Sequence, residues 1–176
     1  MLHRAYDRKS WHGTNLRGSI RGLTPRLATW RPAAGRHNIW ELVVHAAYWK
    51  YVARRRLSGD KVRSFPLRGS NFWERPGRRG IRLPPSRATR RPIALRRTAE
   101  ALAEAGQADR LQADIALLGE MHELLLETVS AIPASRLRRR LGKGQKTRFG
   151  LIAGVAAHDL YHAGQIQLIK ALSQKR

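Results

Sequence analysis

The clearest hydrophobic rhythm lies in the last third of the chain. Leu151, Val155, His158, His162, Ile166 and Ile169 recur at intervals of three and four residues. That is the spacing of one helix face, and it predicts a helix over about 148–173. A second stripe runs through Leu111, Ile115, Leu118, His122, Leu125 and Val129. It predicts a helix over about 98–131, interrupted near Gly106 and ended by Pro133. The run IWELVVHAAYWKYVARRRL, from residue 39, is apolar on almost every side, which suits a central helix. Asn38 and Glu41 form a capping-box-like pair at its start, and Gly59 stops it. Leu2, Ala5, Tyr6, Leu16, Ile20 and Leu23 give looser helical spacing over 2–23, with a break at Gly13. Residues 24–37, with two prolines and a glycine, read as a loop. No strand-like alternation and no repeat occurs. The expected fold is all-α. It is a single domain over 1–176, a four-helix bundle with a long crossover loop between helices 2 and 3.

The rhythm fails over residues 60–97. Pro66, Pro76, Pro84, Pro85 and Pro92 fall among arginines and glycines there. This predicts a long, basic, exposed loop. Residues 54–97 hold 15 basic and 2 acidic residues, in a chain with 35 Lys and Arg against 12 Asp and Glu. Arg54, Arg55 and Arg56 need no partner, because cations are favoured at a helix C-terminus. The net charge of +23 still invites a polyanion. Non-specific nucleic-acid binding through the basic loops is therefore one functional reading. It would use 60–97 together with Arg136, Arg138, Arg139, Arg140, Lys143 and Lys146. Against it, the chain carries no zinc-finger, RNP or clear helix-turn-helix text.

The chain has no cysteine. That excludes a disulfide framework, a thiolate nucleophile and a sulfur-ligated zinc site. Any metal must be held by His, Asp or Glu. No apolar run approaches the roughly 18 residues of a membrane span. The opening MLHRAYDRKSWHG has no signal-type apolar stretch. The expected location is cytoplasmic, without membrane contact.

The chemistry-bearing residues sit on the apolar faces. His158 and His162 stand one helical turn apart on the core stripe of the last helix. Buried imidazoles need polar partners, and a divalent metal would satisfy both. His45 lies midway along the central helix, among Leu42, Val43, Tyr48 and Trp49. Three histidines from two helices would make a facial metal site with open positions for water and substrate. The text HDLYH lacks the glutamate of H-E-x-x-H, so the zincin protease mechanism does not transfer.

These segments resemble the DinB/YfiT-like superfamily of metalloenzymes. The matching text is HNIWELVVHAAYW around His45 and AAHDLYHAGQIQLIKAL around His158 and His162, with DRKSWHGTNLRGSIRGLT and LQADIALLGEMHELLLETV. The resemblance spans nearly the whole chain except about 74–105. It implies a four-helix bundle, often a homodimer, whose metal is bound by one histidine of the second helix and an H-x-x-x-H pair of the last. By position these are His45, His158 and His162, and nickel or zinc is the expected ion. The resemblance further implies a small-molecule substrate. Relatives include hydrolase-like members and transferases or isomerases that use low-molecular-weight thiols such as mycothiol or bacillithiol. A non-catalytic metal-binding bundle is the remaining alternative.

Several neighbours need weighing. Gln165, three residues beyond His162, either bonds a ligand imidazole or is an interface residue. His12 would fall level with His45 if helices 1 and 2 are antiparallel, beside the ligands or facing substrate. Asp159 points off the metal face, toward the surface or behind the ligands. Tyr161 reads as a packing residue and His122 as a hydrogen-bonded core or rim histidine. His3 and His37 read as exposed. Trp40, Tyr48 and Trp49 read as core or as the apolar wall of a pocket.

Overall fold

The computed structural model describes residues 1–9, 11–59, 65–69, 71–75, 106–143 and 146–174. Six α-helices occur among them: α1 (Leu2–Tyr6), α2 (Leu16–Ser19), α3 (Pro25–Thr29), α4 (Ile39–Ser58), α5 (Gln107–Ser130) and α6 (Arg148–Ser173). The class is all-α, and the described residues form no strand, only an isolated bridge between Arg140 and Thr147. None of these helices is long and apolar enough to cross a membrane.

Local chemistry sets the ends of the long helices. Asn38 Oδ1 accepts from the Glu41 amide at 2.9 Å, and the Glu41 carboxylate accepts from the Asn38 amide at 3.3 Å. This is the reciprocal pairing of a capping box. Gly59 closes α4 in the left-handed region, at φ 76°, where a glycine carries no Cβ penalty. Thr147 caps α6 by accepting from the Gly150 amide at 3.0 Å. Gly106 precedes α5 as its N-cap, and the part of the expected helix over 98–105 lies outside the described residues.

α4 is the central element and packs on both α5 and α6, while α1 and α2 pack on α6. Its burial is nearly all-round: Ile39, Trp40, Leu42, Val43, Val44, Ala46 and Ala47 are all within the core. Burying side chains of the Val, Leu and Ile class stabilises by about 1.5–3 kcal/mol each, so this helix anchors the fold. Met121, Leu117 and Leu118 of α5 meet that core, as do Ala163, Ile166 and Ile169 of α6.

The break expected at Gly13 is present: the first bundle element is two short helices, α1 and α2, on either side of Gly13 at φ 102°. Two other expectations change. The segment expected to be a loop over 24–37 holds α3, with Pro25 in its first turn and Thr24 Oγ1 accepting from the Leu27 amide. Proline is at home in a first turn, where its missing amide is one the helix would not use. The described residues 65–69 and 71–75 are not all exposed, as a solvated loop would be. Phe65 and Trp73 are buried against Tyr48 and Tyr51, and Arg75 is tied to α4 and α5. The rest of 60–97 lies outside the described residues.

Candidate metal centre

The site is built where α4 and α6 face each other. α4 supplies His45, and α6 supplies His158 and His162 from successive turns. His45 and His162 are buried, and His158 is partly open to solvent. His45 Nε2 lies 3.1 Å from His158 Nε2, and His162 Nε2 lies 3.0 Å from the same atom. One ligand atom from each ring falls within 4.8 Å of the other two.

The outer nitrogens decide the tautomers of two rings. His45 Nδ1 is 2.7 Å from the Asn71 carbonyl oxygen, which can only accept. Nδ1 therefore carries the proton and donates. His162 Nδ1 stands 2.7 Å from Gln165 Oε1, while Gln165 Nε2 donates to the Tyr161 hydroxyl at 3.0 Å. His162 Nδ1 is again the donor. Both rings thus turn an unprotonated Nε2 inward, toward His158 Nε2. That third nitrogen has at most one proton, and a proton can bridge to only one of the two lone pairs.

A cation could resolve this crowding. With metal–nitrogen bonds of about 2.0–2.1 Å, neighbouring ligand nitrogens stand about 3 Å apart, and the two short edges here match. Three imidazoles leave further coordination positions open. The site's electrostatics agree. Burial holds the His45 pKa below its usual value. Burial, with His162, His45 and Lys50 nearby, pushes His158 down to about 3. Burial pushes His162 down to about 4, partly offset by its bond to Gln165. All three rings are neutral at pH 7, the form in which imidazole could bind a metal.

The surroundings orient rather than ligate. Asn71 has φ 69°, a left-handed conformation that asparagine tolerates better than most residues. Its carbonyl fixes His45, and its Oδ1 accepts from Trp49 Nε1 at 3.1 Å. Phe72 stacks between His45 and His37, with centroid distances of 3.9 and 3.8 Å. His37, exposed as expected, bonds Glu41 at 3.0 Å. Trp49 lies against both His45 and His158 and forms one apolar wall. Trp40 is core, with its Nε1 donating to Asp114 at 2.7 Å.

A family model of the DinB superfamily matches residues 9–166. The chain belongs to the DinB superfamily. No curated protein and no solved structure matches it. The matched span contains His45, Asn71, His158, His162 and Gln165, so the whole cluster lies within the DinB region.

Of the two places expected for Asp159, the surface is excluded: it is fully buried and ion-paired with the equally buried Lys50 across α4 and α6. Tyr161 is not a packing residue: it is 63 % exposed, and its hydroxyl accepts from Gln165 at the open side of the site. His12 is exposed and lines a cleft of about 340 Å³ with Met1, Arg4, Ala5, Ala156 and Leu160. Its ring neighbour is Trp11. It is not grouped with the three histidines. His122 is buried, but neither ring nitrogen has a hydrogen-bond partner among the described residues. His3 is half-exposed. Arg138, Arg139 and Arg140 are exposed between α5 and α6.

Asn71 and Phe72 are the functional neighbours that sequence reading missed. They lie in the Pro/Gly/Arg-rich text, where no periodicity singles them out. Lys50 was equally hidden, as a lysine in a helix reads as a solvated charge.

Proposed function

We propose that the chain is a metal-dependent enzyme, with one divalent cation, nickel or zinc, held by His45, His158 and His162. The carrying observation is the convergence of three Nε2 atoms, two of them unprotonated because Asn71 and Gln165 take the Nδ1 protons. Three neutral imidazoles suit borderline cations such as zinc and nickel rather than calcium or magnesium, which prefer oxygen. When bound, the cation supplies Lewis acidity that lowers the pKa of water or of a low-molecular-weight thiol toward neutrality.

The chain's own residues do the rest. Asn71 and Gln165 hold two rings in orientation and keep their lone pairs inward. Trp49 and Phe72 exclude water from one side and offer apolar surface to a small-molecule substrate. The hydroxyl of Tyr161 accepts from Gln165 and keeps its own proton free to donate at the open side. Among the described residues, no carboxylate is grouped with the three histidines.

The test is spectroscopic. The protein is loaded with Co²⁺ and titrated with a low-molecular-weight thiol such as bacillithiol or cysteine. A thiolate-to-cobalt charge-transfer band, absent in His158→Ala, supports thiol activation. A cobalt spectrum that changes with pH near neutrality, and is indifferent to thiol, supports water activation and hydrolysis. A cobalt spectrum unaffected by either, or unchanged in His158→Ala, contradicts the reading.

A further inference from the structure

A second cluster of potential ligands lies away from the three histidines. His3 of α1, Asp7 just beyond it and His122 of α5 each offer one ligand atom, and these atoms fall within 4.8 Å of one another. His3 and Asp7 are one helical turn apart, with Nδ1 and Oδ1 3.4 Å apart. That separation is too long for a strong hydrogen bond and leaves both atoms with unused capacity.

His122 is the independent sign of a ligand. It is fully buried, and neither Nδ1 nor Nε2 has a hydrogen-bond partner among the described residues. Leaving a buried polar group unpartnered is costly, so such a ring calls for an occupant. One of its faces is already used, since Tyr6 stacks on it at 3.8 Å. The imidazole edges remain. Near them stand His3, with its ring 6.0 Å away and nearly perpendicular, and the carboxylate of Asp7.

We infer that His3, Asp7 and His122 form a second site for a divalent cation, of the zinc class. Two imidazoles and one carboxylate are a ligand set that zinc accepts, and the nitrogens disfavour calcium and magnesium. Such an ion would fasten the five-residue α1 to α5, two elements otherwise far apart in sequence. Access exists: Asp7 lines an open cleft of about 620 Å³, together with Arg17, Arg21, Gln112 and Ile115. Arg17 and Lys50 oppose positive charge at His122, but Lys50 is already matched by Asp159. His3 and Asp7 fall outside the span matched by the DinB model, while His122 lies within it. The inference does not rest on the proposed function, because it shares no ligand with the site on α4 and α6.

The test is Zn²⁺ stoichiometry by competition with a chromophoric chelator, on the full chain and its variants. The wild type should bind two equivalents. His122→Phe, which preserves a ring against Tyr6, should bind one, and Asp7→Asn should weaken the second equivalent at least tenfold. The pair His45→Ala with His158→Ala should still bind one equivalent and show a Zn²⁺-dependent rise in Tm. That rise should vanish when His122→Phe is added. A single equivalent in the wild type, lost with His45→Ala and His158→Ala, overturns the site. So does a second equivalent that survives both His122→Phe and Asp7→Asn, since it would then be held elsewhere. Should His122→Phe fail to fold, Asp7→Asn decides alone: an unchanged second equivalent refutes the inference.

Discussion

The two histidine clusters differ in how their rings are held. In the cluster between α4 and α6, two imidazoles have their outer nitrogens bonded to oxygen, which fixes their tautomers and aims lone pairs inward. In the cluster of His3, Asp7 and His122, the buried ring has no such support among the described residues. The first is pre-organised on long helices with well-set caps, and the second depends on a helix of five residues. Pre-organisation determines affinity, because ligands already in place lose little freedom on binding. The α4–α6 site should therefore bind the tighter equivalent.

A buried ion pair runs between them. Lys50 Nζ lies 4.8 Å from the Tyr6 ring centroid, the ring that stacks on His122. Its partner, Asp159, follows His158 on α6. Burial raises the Asp159 carboxyl and lowers the Lys50 ammonium, and each opposes the other's shift by its charge. The pair holds α4 to α6 behind the metal cluster.

The sharpest break in the comparison is His158→Ala. It should abolish cation binding at the α4–α6 cluster, leave the helical circular dichroism intact, and spare the second cluster. Elemental analysis of dialysed protein checks this. Next comes Lys50→Met, which leaves Asp159 buried without its counter-charge. The expected loss is roughly 3–5 kcal/mol in urea unfolding. Lys50→Met combined with Asp159→Leu should recover much of it, and no recovery would mean that packing rather than charge is at stake.

Gln165→Leu frees the His162 tautomer without touching a ligand atom. Metal affinity should fall about 10–100-fold with little change in Tm of the metal-free protein. Gln165→Glu, which keeps an acceptor, should fall less. An affinity unchanged in Gln165→Leu would show that the ring needs no outer bond, and would erase the distinction between the clusters.

Acid tests both clusters together in metal-free protein. His122 and His158 are pushed down to about 3, and His162 to about 4, by burial first of all. Unfolded histidine titrates near 6.5. Between those values the unfolded chain binds protons that the folded chain refuses, so stability rises with pH across that window. Unfolding free energy in chelator should drop from pH 7 to pH 5 by roughly 1 kcal/mol or more per histidine. A flat profile would mean that the rings gain protons while folded. The smallest effect expected is that of Asn71→Gly. The left-handed backbone is kept and the carbonyl still meets His45, so stability should change by a few tenths of a kcal/mol. Trp49 loses its partner, and its fluorescence should report it.

Much of this was legible in the sequence wherever the cause is local. Asn38, Glu41 and Gly59 announce the ends of α4 because capping acts within a turn. The stripe on residues 148–173 announces α6, and the spacing of His158 and His162 follows from it. Thr24 and Pro25 carry a helix-start signature for α3, yet the surrounding prolines disguise it as a loop. What stayed hidden is non-local. Lys50 and Asp159 are 109 residues apart, and only the packed bundle brings them together. Asn71, Phe72 and Trp73 are held by α4 rather than by any period of their own, so an Arg- and Pro-rich text masks a wall of the site. The unsatisfied state of His122 depends on what surrounds it, which a helical stripe does not reveal.

The central claim is that His45, His158 and His162 together hold one cation. The most direct measurement is elemental mass spectrometry of untagged protein beside His45→Ala and His158→Ala, with zinc or nickel reconstitution and His122→Phe as the common background. That background removes the second cluster from the count. One equivalent in the parent, lost in both variants with helical content unchanged, is the predicted result. A parent without metal after reconstitution, or variants that keep it, would contradict the claim.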